Sequence, residues 1–490
     1  MSAPRESTDP ANPPSEQFVV HMSDADALMW NIEKDPMLRS TITAIAVLDR
    51  APDWDRLVGV IDRATRMIPQ LRQRVVVPPL RVGPPRWTFD ANFDLEYHLR
   101  RVRAPEPATL DTLLHIAEGI GMAGFDRARP LWEFVLVEGL GLGEPTASGG
   151  RSKRRDGAAL IQKVHHSITD GVGGIRLAMH LLDLEPDPPD REPAPDAPPA
   201  EEPSLLDLIA EAAAHNQRRA RNAVARSTVG LTGAALSAFS APDAAVARAI
   251  RSARSVARIL APVNEPLSPI MRGRSLSSRY AAVSVGLDEL KAAAKAVDGT
   301  LNDAFVAAVG GGLRRYHEAH GAAIDDLRMT MPINIRVEDD PTAGNRFVPA
   351  RFPVPVAIVD PVERMRQVGR LVREWRSEPA LALTDTLAGI LNRLPTSVTT
   401  RVFGGMLKGV DFVTSNVPGV PFPVYLAGSE VTAQYAFGPL SGAATNLVLV
   451  SHCGTCYVGV NVDASAIPDR DRFVACIQAG FDEVVAVGTA

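Results

Sequence analysis

The apolar and polar positions in the N-terminal part of the chain alternate with periods that predict both helices and strands. Residues 54–68 (WDRLVGVIDRATRMI) carry apolar side chains at helical spacing. Three apolar runs predict strands at 40–49, 131–140 and 158–166. Strands and helices alternate in this way through residue 185, which predicts a mixed α/β layer.

The pattern changes in the middle of the chain. Residues 185–203 (EPDPPDREPAPDAPPAEEP) are rich in proline and acidic residues, which predicts an extended linker. Residues 205–262 are rich in alanine, are helical by pattern and contain eight arginines against three acidic residues. A basic segment with an apolar face can lie on an anionic membrane or pack on the protein's own surface. The sequence leaves both interpretations open.

Strands and helices alternate again from about residue 275. Helices are predicted for 287–297 and for 301–319, whose three consecutive glycines predict close helix packing or room for a ligand. The end of the chain is richer in strands before a final helix over 469–485. The predicted divisions are 1–18 (disordered N-terminus), 19–185 (first α/β domain), 186–270 (linker and basic helices) and 271–490 (second α/β domain).

Composition and charge narrow the functional classes. At 490 residues the chain exceeds one core of ordinary size, and its 46% hydrophobic and 22% charged content is typical of a globular protein. The net charge of -5 gives no hint of a basic face, which argues against a nucleic-acid partner. The N-terminus has no apolar core of signal-peptide length, and no stretch elsewhere is long enough for a membrane-spanning helix. We therefore expect a cytoplasmic protein, or one attached to a surface from the cytosolic side.

Three cysteines are too few for disulfides to stabilise a chain of this size, which indicates a reducing compartment. Cys453 and Cys456 form a CxxC within VSHCGTCYVGV, a stretch that otherwise predicts strand, turn and strand. Packing is the favoured interpretation, because no second pair completes a zinc site. A redox or metal role is the alternative.

The segment VHHSITDGVGG (164–174) is the main candidate for chemistry. Imidazole is an available base near neutral pH, and the turn after a strand holds a side chain on a rigid backbone. Asp170 can brace that turn, and Gly171 and the glycines after it allow tight bends. A hydrolase elbow and a phosphate loop are missing from the sequence. Adjacent His165 and His166 would point opposite ways on a strand and could not easily share one metal, so we predict no metal site. A general base without a protein nucleophile and a structural histidine pair both stay open.

The string HHSITDG (165–171) matches the HHxxxDG signature of the bacterial wax ester synthase/diacylglycerol acyltransferase family. Further blocks resemble that family in the expected order, over about 20–485, and the resemblance is weakest over 186–265. These blocks are DALMWNIEKDPM (26–37), PQLRQRVV (69–76), FDLEYHLR (93–100), RPLWEF (129–134), GTLNDAFVAAVGGGLRRY (299–316), MPINIR (331–336), GNRF (344–347) and TSNVPG (414–419).

This resemblance implies the fold of CoA-dependent acyltransferases of the chloramphenicol acetyltransferase type, which include condensation domains. Two similar α/β domains would enclose an active-site tunnel. His166, the second histidine of the motif, would be the general base that takes the acceptor's proton during attack on acyl-CoA. Asp170 would be structural, His165 would orient the turn, and Glu33 matches a family acid without a derivable role. The reaction implied needs no metal and no cofactor, with acyl-CoA as co-substrate.

Five further residues are candidates for the site. Asn302 is a candidate oxyanion donor, with an N-terminal helix cap as an equal alternative. Ser415 and Asn416 are candidates for lining the acyl or CoA tunnel, with turn formation as the favoured alternative. Gly171 and Trp132 are weaker candidates for contact with the substrate, and packing is the favoured interpretation of Trp132.

The leading hypothesis is a long-chain acyl-CoA-dependent diacylglycerol O-acyltransferase that forms triacylglycerol, with wax ester synthesis as a second activity. Its substrates would be acyl-CoA and either diacylglycerol or a long-chain alcohol. The protein would also contact the inner face of the membrane or a lipid droplet as a peripheral protein. No nucleic-acid or protein partner is predicted. The alternatives are a catalytically silent relative that binds lipid or acyl-CoA, and an acyltransferase acting on another specialised alcohol or amine.

Overall fold

The computed structural model describes residues 21–79, 82–141, 156–168, 171–189, 193–221, 262–263, 265–334, 347–376, 388–389 and 391–489. The predicted disordered segment 1–18 and residues 222–261 of the predicted basic segment lie outside the described residues.

Helices and strands alternate along most of the described chain. The helices are α1 (Asp24–Ile32), α2 (Trp54–Met67), α3 (Leu95–His98), α4 (Leu110–Met122), α5 (Gly171–Leu181), α6 (205–221), α7 (Leu287–Lys295), α8 (Leu301–Ala319), α9 (Pro361–Arg376), α10 (Thr396–Leu407) and α11 (Arg470–Thr489). The strands are β1 (Thr41–Leu48), β2 (Gln73–Val76), β3 (Arg86–Phe89), β4 (Leu99–Arg103), β5 (Trp132–Leu140), β6 (Gly157–His165), β7 (Leu182–Asp183), β8 (Ser278–Gly286), β9 (Asp326–Asn334), β10 (Phe347–Pro355), β11 (Phe412–Val417), β12 (Tyr425–Leu426), β13 (Ser429–Phe437), β14 (Thr445–His452) and β15 (Thr455–Asp463).

Local sequence accounts for the elements predicted near the N-terminus. The Asp53 side chain accepts the Arg56 N–H and caps α2, while Leu57, Ile61 and Ala64 point from that helix into the core. The predicted strands 40–49, 131–140 and 158–166 are confirmed as β1, β5 and β6. All but one residue of β6 are buried, because helices cover both faces of its sheet.

Two large sheets organise the molecule. The first has the order β4-β5-β6-β1-β13-β12-β7 and packs on α2 and α5 with one face and on α4 with the other. The second has the order β10-β9-β11-β14-β15-β8, and its core includes apolar side chains of α7, α8, α9 and α11. The predicted α/β architecture with two sheet-containing domains is confirmed.

The first sheet is completed by strands from the far end of the chain. β13 pairs antiparallel with β1, from Thr43↔Phe437 to Leu48↔Val431, and β12 joins β13 to β7. The predicted domain boundaries stay a prediction, but residues 425–437, which they assigned to the second domain, belong to the first sheet. Hydrophobic periodicity could not reveal this, because it reports that a segment is a strand and not which strand it pairs with.

The consecutive glycines of α8 serve close packing, one of the two predicted explanations. A Cβ on Gly312 would lie 2.6 Å from the Cα of Ile477 in α11. A Cβ on Gly311 would collide with Glu483 and Arg364, which form an ion pair against the helix. Glycine is required here because α8 and α11 approach more closely than any side chain permits.

The CxxC lies at the tip of the β14–β15 hairpin, as the predicted strand, turn and strand require. Cys456 is buried and Cys453 is exposed, and neither forms a disulfide. In the part of the chain that the structure describes, no three histidine, cysteine or acidic side chains cluster as metal ligands. Within the same residues, no helix is long and apolar enough to cross a bilayer.

Candidate active site

The histidine pair lies where β6 ends and the chain turns toward α5. Three backbone hydrogen bonds fix this turn: His165 N donates to Leu131 O (3.0 Å), His166 N to Ser40 O (2.9 Å) and Ile168 N to His165 O (2.9 Å). Gly171 begins α5 directly afterwards. The predicted brace Asp170 lies outside the described residues, so its role stays a prediction.

The His165 ring is fully buried and both of its nitrogens are engaged. Nδ1 accepts the Ser167 N–H (3.0 Å) and lies 2.6 Å from Ser167 Oγ, while Nε2 lies 3.0 Å from Glu33 Oε1. Because Nδ1 accepts a backbone N–H, the ring proton is on Nε2 and is donated to the carboxylate. His165 therefore has no nitrogen left for a substrate, which suits the orienting role predicted for it.

Glu33, at the C-terminal end of α1, connects both histidines of the motif. Its Oε1 accepts hydrogen bonds from His165 Nε2 and from Ser40 N (2.6 Å), and the Ser40 carbonyl in turn accepts the His166 N–H. Burial alone would raise the pKa of Glu33, but His165, the Ser40 N–H and Arg127 outweigh it, so the pKa lies below its usual value. Glu33 is thus an ionised anchor for the turn.

Sequence reasoning found no role for Glu33, and no local signal could have supplied one. Its hydrogen bond to His165 joins residues 132 positions apart. The acidic residue follows an ordinary amphipathic helix, so only the tertiary structure reveals its partner.

His166 differs from His165 in exposure. Its side chain is half-buried, with almost no exposed surface on Nδ1. Part of His166 is therefore accessible, whereas His165 is fully enclosed, and a general base must be reachable by the acceptor. The tunnel predicted beside this ring stays a prediction.

Trp132 lies in the core beneath the site. It is fully buried, its Nε1 donates to Leu71 O (2.8 Å), and its ring stacks on His98 at 4.6 Å between centroids. These contacts are those of a packing residue, and a direct contact with the substrate stays a prediction.

Asn302 lies in the first turn of α8 but does not cap it. Thr300 is the cap residue, and it forms a capping box with Asp303. The predicted capping alternative for Asn302 is therefore wrong, because the helix begins two residues earlier than Asn302 would require. Among the described residues its Nδ2 has a single weak contact, at 3.6 Å to Met331 Sδ, and the role of oxyanion donor stays a prediction.

Ser415 and Asn416 lie in β11, which runs parallel to β14, so the predicted turn does not include them. Both are half-buried. The chain leaves the strand after Val417, and Gly419 passes so close to the Ser451 carbonyl that a Cβ would collide with it. The glycine of TSNVPG is thus explained by close approach, while contact of Ser415 and Asn416 with a substrate stays a prediction.

Two family models match most of the chain. The wax ester synthase/diacylglycerol acyltransferase (WS/DGAT) catalytic domain matches residues 22–305, and the WS/DGAT C-terminal domain matches residues 343–484. The chain belongs to the WS/DGAT family. The resemblance inferred from the HHxxxDG string and the later blocks is confirmed, and WS/DGAT membership makes the protein an acyltransferase.

Curated relatives of this WS/DGAT chain agree with the family models. A putative diacylglycerol O-acyltransferase of Mycobacterium tuberculosis is 40% identical over 466 residues, which cover 95% of this chain and 92% of the relative. A probable diacylglycerol O-acyltransferase of the same species is 26% identical over 478 residues, covering 95% and 96%.

Solved structures share the WS/DGAT fold at low identity. The WS/DGAT enzyme of Marinobacter aquaeolei VT8 superposes with a TM-score of 0.58 at 21% identity, covering 96% of this chain and all of that one. A starter condensation domain of rhizomide synthetase superposes with a TM-score of 0.54 at 11% identity, covering 96% and 95%. These likenesses confirm the predicted fold class of acyltransferases related to condensation domains.

Proposed function

We propose that this WS/DGAT chain transfers a long-chain acyl group from acyl-CoA to the free hydroxyl of diacylglycerol, with a linear alcohol as a second acceptor. The relatives named as diacylglycerol O-acyltransferases support the first acceptor. One observation carries the assignment of the base: both nitrogens of the fully buried His165 are engaged inside the protein, whereas His166 is half-buried and partly accessible.

The proposed reaction is a single displacement at the thioester. His166 takes the hydroxyl proton as the acceptor oxygen forms a bond to the carbonyl carbon. The carbon–sulfur bond then breaks, and the protonated ring returns the proton to the departing CoA sulfur. A general base of this kind contributes about 10²–10⁴-fold to the rate. In this proposal Asn302 stabilises the oxyanion, Asp170 braces the turn, and neither a metal nor a cofactor takes part.

Release of CoA tests this proposal. Purified protein receives palmitoyl-CoA with diolein or hexadecanol, and a thiol reagent follows free CoA while lipid chromatography identifies the product. We expect His166→Ala to lower kcat by about 10²–10⁴-fold. His115→Ala, which changes an exposed histidine of α4, is the matched control and should retain full activity. Equal kcat for His166→Ala and the wild type would reject His166 as the base.

The same experiment separates the alternative functions. Calorimetry that detects palmitoyl-CoA binding, with no product from any alcohol tested, would indicate a binding protein without turnover. Product formed only with an amine or a specialised alcohol would indicate a different acceptor class.

The proposal also includes the protein's location: a cytoplasmic protein that contacts a lipid surface peripherally. Two ion pairs, Arg219–Asp24 and Glu211–Arg86, attach the inner face of α6 to the rest of the protein, and Leu208 of that face is buried. Three apolar side chains of the same helix face outward: Leu205, Leu206 and Ile209 are 62%, 76% and 38% exposed. An outward apolar face on a helix anchored by ion pairs favours contact with a membrane or lipid droplet.

Vesicle flotation tests the lipid contact. Leu205→Ser/Leu206→Ser should reduce the fraction that floats with phosphatidylcholine vesicles containing diolein. Leu276→Ser, which changes an exposed leucine outside α6, should not reduce it. Equal flotation of the double variant and the wild type would remove α6 from the proposal.

A further inference from the structure

One segment of the first domain wraps the buried His165 ring. This segment, residues 122–131, connects α4 to β5 and is called the strap below. Its Leu131 carbonyl accepts the His165 N–H, and the Phe125 ring meets the His165 ring edge-on at 5.9 Å between centroids. Arg127 lies 3.3 Å from Glu33 and 4.0 Å over the Trp30 ring. The strap therefore contacts both members of the His165–Glu33 pair.

A buried lysine holds the strap from inside the sheet. Lys163 is fully buried in β6, two residues before His165 and on the same face of the strand. Its Nζ lies 2.8 Å from Glu133 Oε1, 3.4 Å from the Gly124 carbonyl and 4.3 Å from the centre of the Phe125 ring. One ammonium group thus binds the strap at two consecutive residues.

The Glu133 partner explains how a lysine is tolerated there. Glu133 lies directly opposite Lys163 in the β5–β6 register and also pairs with Arg100 at the surface. Burial lowers the pKa of Lys163, and the hydrogen bond and charge of Glu133 oppose that effect. An apolar side chain would fill the same space with no charge to bury, so packing alone does not explain a lysine at this position.

We propose that Lys163 is a positioning residue for acyl transfer. It fixes Gly124 and Phe125, and Phe125 fixes the ring plane of His165. His165 and Glu33 then fix Ser40, whose carbonyl holds the His166 backbone. This inference rests on the proposed function, in which His166 is the base, and it adds a residue that never contacts the substrate.

Kinetics of Lys163→Met test the proposal, because methionine matches the aliphatic part of the lysine side chain and removes the ammonium group. Glu133 retains Arg100, so no carboxylate is left without a partner. We expect kcat to fall by about 10- to 100-fold, the loss that a base misplaced by up to ~1 Å produces. KM for palmitoyl-CoA should stay within about twofold, because uniform binding is not altered.

A double-mutant cycle identifies the route of the effect. Phe125→Leu should lower kcat to a similar extent, and the double variant should lose little more than either single variant, because both changes break one chain of contacts. Losses that multiply would overturn the route through Phe125. If Lys163→Met does not fold, Phe125→Leu and the charge-conserving Lys163→Arg carry the test, and an unchanged kcat in Phe125→Leu overturns the proposal.

The matched control is Arg364→Met in the second domain. Arg364 is equally buried and also pairs with one glutamate, Glu483, but it contacts α8 and not the histidine turn. We expect this variant to lose thermal stability with kcat unchanged. A loss of kcat as large as that of Lys163→Met would show that both effects are general.

Crystal structures of the wild type and Lys163→Met separate this proposal from the proposed function. Displaced Phe125 and His165 rings support the positioning role even if no acceptor is ever acylated. Rings that superpose in both proteins overturn it, whatever the activity. Absence of turnover in the wild type would instead count against the proposed function.

Discussion

Replacing Glu33 by glutamine tests the anchor beneath the histidine turn. Glutamine keeps the size and one carbonyl oxygen of the side chain but removes the charge. Glu33 Oε1 accepts hydrogen bonds from His165 Nε2 at 3.0 Å and from Ser40 N at 2.6 Å. A hydrogen bond to a charged group contributes about 1.5–3 kcal/mol and one between neutral groups about 0.5–1.5 kcal/mol. Two weakened bonds should lower the free energy of unfolding by about 2–3 kcal/mol.

Part of that energy orients the base and should appear in the rate. If the share of one bond, ~1.4 kcal/mol, is lost from the transition state, kcat falls about 10-fold. The assay is CoA release from palmitoyl-CoA with diolein, with stability measured by urea unfolding. Glu118→Gln is the matched control, because the Glu118 side chain is even less exposed than that of Glu33 (2% against 9%) and accepts the Tyr280 N–H (2.8 Å) outside the histidine turn. We expect that control to lose stability but not kcat.

The pH dependence gives the same variant a second test. Because the pKa of Glu33 is lowered in the folded protein, its carboxylate stabilises the fold fully above the pKa of an unfolded glutamate, about 4.3. This contribution is lost as the pH falls through the lowered folded value. The gap in unfolding free energy between the wild type and Glu33→Gln should therefore be constant from pH 7 to about 5 and close below it. An unchanged kcat in a measurably destabilised Glu33→Gln would refute the reasoning.

Three further predictions concern stability and binding. Gly312→Ala should lower the free energy of unfolding by about 1–3 kcal/mol, because α11 leaves no room for a Cβ there. Gly59→Ala, on α2 where a Cβ has open space, should raise the free energy of unfolding by about 0.5–1 kcal/mol. Equal shifts of the two variants in urea unfolding would contradict the packing account. Burial and neighbouring positive groups lower the pKa of His21 to about 4. The wild type should therefore lose more stability than His21→Gln as the pH falls from about 6.5 toward 4. An equal loss of unfolding free energy in both proteins, measured with urea over this pH range, would contradict this. Trp132→Phe leaves the Leu71 carbonyl without its donor and should lower the free energy of unfolding by about 1–3 kcal/mol with KM for palmitoyl-CoA unchanged; a raised KM would instead place Trp132 against the substrate.

The sequence predicted the features that depend on neighbours along the chain. The helical spacing of Leu57, Ile61 and Ala64 gave α2, and the apolar run before His165 gave β6, because amphipathic spacing acts within one element. The HHxxxDG string also located the turn correctly, since strand, turn and helix follow one another there.

Features built by distant segments escaped prediction. The anchor from Glu33, the Lys163–Glu133 pair and the strap depend on residues brought together only by the fold. The capping alternative for Asn302 failed for a local reason: Thr300 is two residues earlier, and its side chain reaches the Asp303 N–H. The sequence pattern placed the start of the helix within the right few residues, but it did not identify the residue that caps it.

The crossing of β13 into the first sheet also bears on how the chain can be made. The Glu430 N–H donates to Asp49 across 381 positions, so β1 lacks one neighbour until nearly the whole polypeptide has left the ribosome. Until then β1 has an open edge, the kind of surface on which nascent chains aggregate. Separate expression of the two halves should therefore yield insoluble fragments, whereas co-expression can restore the pairing of β1 with β13. During synthesis, chaperones should be needed mainly by the N-terminal half.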